Sequence, residues 1–115
     1  MDPTQNENQE KTAALLASLW LRNRPIVEER LAMLDRAASY AAAGTLVEEL
    51  REEAADSAHK LAGSLGMYGY DDGTRLAREL ELLLDYPTPD PAQIRTLATQ
   101  LRQTIFPAPQ LIADS

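Results

Sequence analysis

Apolar residues along this chain recur at helical rather than strand spacing. From about Glu7, Leu15, Leu16 and Leu19, then Ile26, Leu31 and Leu34, follow the i, i+3, i+4 rule of an amphipathic helix. Pro25 interrupts that stretch. It either kinks one long helix or stands near the first turn of a second helix capped by Asn23. Gly44 predicts a C-terminal stop, and Thr45 with Glu48 three residues on has the form of a capping box. The next helix is predicted over about Thr45–Tyr68, on the stripe Leu46, Leu50, Ala54, Ala58, Leu61 and Leu65. A short turn at 70–73 follows, where Asp71 or Asp72 can cap a helix carrying Leu76, Leu80, Leu83 and Leu84. The prolines at 87 and 89 break the chain again. Asp90-Pro91 is a good cap and first-turn pair for a last helix with Ile94, Leu97, Leu101 and Ile105, which Phe106-Pro107 ends. Short connections between amphipathic helices make neighbours antiparallel, hence an up-down bundle. The expected division is a flexible start over 1–6, the bundle over 7–106, and a tail or linker over 107–115.

Composition supports this and narrows the chemistry. Leu, Ala, Glu, Arg and Gln dominate, all good helix formers. No segment alternates like a strand. With 115 residues, 44% of them hydrophobic, the chain has the size of one ordinary domain with its own core. Cysteine is absent and histidine occurs once, which argues against disulfide, zinc and iron–sulfur chemistry. A net charge of −7 disfavours binding to a nucleic-acid backbone. No apolar run approaches the roughly 18 residues of a membrane span. The first residues lack the pattern of a signal peptide. The expectation is a soluble, cytoplasmic, single-domain protein.

The one histidine is the most informative residue. On a helical wheel at about 100° per residue, His59 lies about 180° from Leu50, while the apolar stripe centres near ~40°. The ring therefore points away from the core. Its surface neighbours are very small: Ala55 before it, and Ala62, Gly63 and Gly66 after it. Each glycine inside a helix costs roughly 1 kcal/mol relative to alanine, so Gly63, Gly66 and Gly69 are expensive unless the space is used. A helix ending near Gly63, with the glycines in a loop, is the bland alternative; Leu65 and Tyr68 continue the stripe and argue against it. Imidazole is a competent nucleophile at neutral pH, and a small-residue strip leaves it reachable by another protein. The acidic run Glu48, Glu49, Glu52, Glu53 and Asp56 reads as a solvated helix face, and Trp20 and Tyr40 as packing residues.

The segment from Ala58-His59-Lys60-Leu61-Ala62-Gly63-Ser64-Leu65-Gly66 to Gly69, continuing through Arg75-Leu76-Ala77-Arg78-Glu79-Leu80-Glu81, resembles the histidine-containing phosphotransfer (HPt) domain. Its wording is closest to the version found in cyanobacterial multidomain sensor proteins. The resemblance implies an all-α, antiparallel four-helix bundle of the HPt type, here with an additional or kinked N-terminal helix. It implies a phosphocarrier without an ATP site of its own, and a partner set of response-regulator receiver domains and a histidine kinase or hybrid kinase, with no nucleic acid, no membrane and a monomeric state. By the same carry-over His59 is the phospho-acceptor, through Nε2 because its own helix backbone hinders Nδ1. Ala55, Lys60, Ala62, Gly63, Ser64 and Gly66 form the docking surface. No cofactor of its own is implied, Mg²⁺ coming with the receiver. The family often has a lysine three residues after the histidine; here that place holds Ala62. Two other functions compete. A histidine-kinase dimerisation domain has an acidic residue directly after its histidine and a proline five on, where this chain has Lys60 and Ser64. A helical module that binds receivers without transfer shares all the features except the chemistry.

Overall fold

A computed structural model describes residues 3–107 of the chain. Four helices make up the domain: α1 (Pro3–Ala42), α2 (Glu48–Leu65), α3 (Asp71–Leu84) and α4 (Pro91–Ile105), with a 3₁₀ turn over Gly66–Tyr68. No strand occurs among the described residues. Helix α1 packs on α2 and α4, and α3 packs on the same two. The four helices therefore enclose one core. Leu31 and Leu34 of α1, Leu61 and Leu65 of α2, Leu80 and Leu84 of α3, and Ile94 and Leu101 of α4 fill it, all fully buried. This is the helical bundle that the spacing predicts, with the four helices that the resemblance implies.

The N-terminal element is neither a separate helix nor a late start. Helix α1 runs unbroken from Pro3 through Pro25. Proline lacks an N–H, so the Leu21 carbonyl loses its usual partner there. Leu21 and Pro25 are both exposed, so water can take that carbonyl. Forty residues at ~1.5 Å each span about 60 Å, whereas the other helices have 14 to 18 residues. The longest dimension of the molecule, 58 Å, is close to that length. Burial on α1 accordingly begins at Val27, and Leu15 and Ile26, which the periodicity assigned to the buried stripe, stay exposed. Trp20 marks the edge of the bundle. Its ring lies 5.2 Å from Tyr68, 5.1 Å from Tyr70 and 5.9 Å from Phe106. Tyr40, the other aromatic expected to pack, is 41% exposed.

Helix ends follow the backbone more than the predicted side-chain caps. Gly44 is left-handed at φ 73°, and the Thr45 N–H returns to the Tyr40 carbonyl at 2.8 Å. The Thr45 hydroxyl also donates to that carbonyl, at 3.3 Å. It is thus committed to the end of α1, and the predicted capping box does not form. Helix α2 starts three residues later, after Val47, without a side-chain cap. Asp71 and Asp72 do not cap α3 either. Tyr70 holds that position and both carboxylates lie in the first turn, where they face the positive end of the helix. At α4 the prediction holds: Asp90 Oδ1 accepts from the Ala92 N–H at 3.0 Å, with Pro91 next. Residues 1–2 of the expected flexible start and 108–115 of the expected tail lie outside the described residues.

Candidate functional site

The buried residues of α2 are Ala54, Ala58, Leu61, Ala62 and Leu65, which turn the opposite side of the helix outward. His59 stands there, its side chain 70% exposed. Helix α2 continues through Gly63 to Leu65, so the ring sits on regular helix and not beside a loop. Its Nδ1 lies 2.9 Å from Oε2 of Glu81 on α3. A carboxylate only accepts hydrogen bonds, so Nδ1 is the donor, and in the neutral ring the lone pair then lies on Nε2. What engages Nδ1 is thus a side chain on the neighbouring helix, a partner that the sequence motif contained without a role.

The structure distributes the other predicted surface residues unevenly. Gly63 and Gly66 are exposed, Ala55 and Ser64 half-buried. A Cβ built on Gly63 would meet nothing within 4 Å. Ser64 Oγ donates to the Leu61 carbonyl at 3.4 Å. Lys60 is exposed but pairs with Asp56 at 2.8 Å, and this hydrogen bond holds the Asp56 carboxyl below the usual carboxylate range. Ala62 departs from the expectation of an open face: it is only 6% exposed. Helix α3 closes over it, and Thr74 Oγ1 donates to its carbonyl at 3.4 Å. A helical wheel gives the direction of a residue but not the neighbour that covers it.

Helices α2 and α3 enclose an open hollow of ≈ 530 Å³ beside the ring. His59, Ala55, Ala62 and Gly63 border it from α2. Glu81, Arg78 and Leu82 border it from α3, and Asp85 from just past the end of that helix. Sequence reasoning centred on α2 missed this second wall. The signal was present, since positions 78, 81, 82 and 85 fall on one face of a helix. What it lacked was the register that sets that face against His59. Leu82 is 69% exposed and supplies the apolar part of the rim.

With this geometry in place, comparison with known proteins decides the family. The model of the Hpt domain family matches residues 25–105. This chain belongs to the Hpt domain family. The matched span begins at Pro25, so the Hpt part takes in the C-terminal portion of α1 and all of α2, α3 and α4. Hpt domains carry phosphoryl groups on histidine in two-component systems, working with receiver domains and kinases, and that is the class of this chain. The chain is also similar to Protein RcaC of Microchaete diplosiphon, at 30% identity over 104 residues. That similarity covers 87% of this chain but 16% of the relative, so the chain spans about one-sixth of the relative's length. No solved structure matches the chain. No described helix is long and apolar enough to cross a membrane. The described residues include no group of three or more His, Cys, Asp or Glu that could hold a metal.

Proposed function

We propose that His59 is the phospho-acceptor of this Hpt domain and that it takes its phosphoryl group from the phospho-aspartate of a receiver. The observation that carries this reading is the state of the chain's one histidine: exposed on regular helix, with Nδ1 engaged by Glu81. In the proposed step, the Nε2 lone pair attacks phosphorus in line and the P–O bond to the receiver's aspartate breaks. The aspartate leaves as a carboxylate. Nε2 carried no hydrogen, so no base is required, and the ring becomes an imidazolium bearing a phosphoryl group. The Glu81 carboxylate then faces a cationic ring and its Nδ1–H bond becomes charge-assisted. Return transfer to a second receiver reverses these bonds. Because the chemistry is mostly positioning and charge stabilisation, a rigid helical frame is a sufficient scaffold.

Ala55, Gly63 and Gly66 offer little steric resistance to an approaching receiver, with Lys60 and Ser64 at the edges of that face. Leu82 adds an apolar seat on the α3 side. The test is transfer from a phosphorylated receiver, with His59→Gln as control. Label should appear on the chain, be labile in acid and stable in base, and vanish in the variant. The variant should melt near the wild-type temperature, because the side chain it replaces is 70% exposed. Receiver binding without label would instead support a docking module that does not transfer.

A further inference from the structure

We propose that Arg78, on α3, binds the phosphoryl oxygens of phospho-His59. This inference rests on the assignment of His59 above and adds the source of positive charge within the domain. A phosphohistidine carries a doubly negative phosphoryl group, and the hollow already holds the carboxylates of Glu81 and Asp85. Apart from His59 itself, Arg78 is the one basic residue among those that border the hollow. It makes no ion pair with any described residue. Lys60, adjacent to His59 in sequence, is instead held by Asp56 at 2.8 Å. The register of the two helices places the guanidinium. His59 meets Glu81 at 2.9 Å, and the Thr74 hydroxyl reaches the carbonyl of Ala62. The helices thus run antiparallel, and Arg78, three residues before Glu81, comes opposite Ala62 and Gly63, three and four residues after His59. The small side chains at these two positions leave the guanidinium room to swing toward the ring. Arginine presents a planar fork of donors that matches phosphoryl oxygens in pairs.

Phosphoramidate separates this role from partner docking, because it is a small phosphoryl donor with no docking surface. His59 Nε2 attacks its phosphorus, the P–N bond breaks and ammonia leaves. Labelling by phosphoramidate and by a phosphorylated receiver is compared in wild type, Arg78→Ala, Arg78→Lys and His59→Gln. Phosphohistidine is followed by ³¹P NMR, and folding by thermal melting. Arg78→Ala should melt like wild type, label at least tenfold more slowly with both donors, and shift the ³¹P resonance. Arg78→Lys should recover part of the rate. Wild-type labelling and an unmoved ³¹P resonance in Arg78→Ala would overturn the role of Arg78 and leave that of His59 intact. Slow labelling by the receiver alone, with phosphoramidate unaffected, would assign Arg78 to docking and also overturn it. Labelling that persists in His59→Gln, or no label on wild type with either donor, would overturn the assignment of His59 itself.

Discussion

A Cβ on Gly63 would meet no atom within 4 Å, whereas one on Gly73 would lie 3.2 Å from Leu65 Cδ1. The two helical glycines therefore have different reasons to be small. At Gly73 the reason is inside the molecule, where α3 approaches α2. Leu65 is fully buried and Tyr70 Cβ lies 3.3 Å away as well, so overpacking in Gly73→Ala should cancel the ~1 kcal/mol that alanine gains in a helix and leave the variant no more stable than wild type. At Gly63 no described atom needs the space, which leaves it free for the close approach of a receiver proposed above. Gly63→Leu should leave the melting temperature unchanged or raise it, since leucine is the better helix former, while it blocks transfer from a receiver. Unimpaired transfer in that variant would remove the case for close approach over this strip. Glu81 is the second test at this scale. Glu81→Ala frees Nδ1 and lets the ring change tautomer. It should slow transfer about tenfold, equivalent to ~1.4 kcal/mol of lost transition-state stabilisation, as read from single-turnover phosphotransfer with the fold checked by circular dichroism.

At the scale of the elements, the contacts between helix ends hold the site's two walls together. Arg51 on α2 donates through Nη1 to the Leu84 carbonyl at 2.7 Å and pairs with Glu48 through Nη2. Its side chain is only 12% exposed. The carbonyl it meets lies at the end of α3, where intrahelical partners run out and a cation is favoured. One nitrogen, Nε, is buried without a partner, which offsets part of the gain. Arg51→Ala should therefore cost about 1–2 kcal/mol, measured by chemical unfolding. A loss of nothing would mean that the α2–α3 pair is held by apolar packing alone. On the opposite side of the bundle, Arg102 of α4 pairs with Asp35 of α1 at 2.7 Å, and Arg95 donates to Ser39 at 2.8 Å. The first contact is half-buried and the second exposed, and both keep enough solvent that they fix the register of α1 against α4 more than they stabilise it.

At the scale of the whole molecule, the core and the N-terminal half of the long helix are nearly separate. The buried set starts at Val27 on α1, while the described side chains of residues 6–14 are all exposed. Removing residues 1–14 should shift the melting temperature by no more than a few degrees and leave transfer to His59 intact. A large loss of stability would mean that residues before Leu15 pack on something other than the described bundle. Removal through Trp20 should behave differently. That ring is in contact with Tyr68, Tyr70 and Phe106, and such aromatic pairs contribute ~0.5–1.5 kcal/mol each beyond area burial.

The sequence by itself determined the helical class, the breaks at Gly44 and Pro87, the cap at Asp90, and an exposed face around His59. These are local properties, set by spacing of 3.6 residues, by backbone freedom and by one side chain bonding to the next turn. Tertiary structure decided the rest. Leu15 and Ile26 carry the right period but lie where no helix comes to meet them. Thr45 and Glu48 have the right spacing for a capping box, yet the hydroxyl goes back to α1. Ala62 points near the open face and is covered by α3. Above all, Glu81, Arg78 and Leu82 stand beside His59 only because α3 packs on α2 in one register. A wheel drawn on one helix contains no information about the residue that arrives from the next, and the environment of the imidazole is built from both.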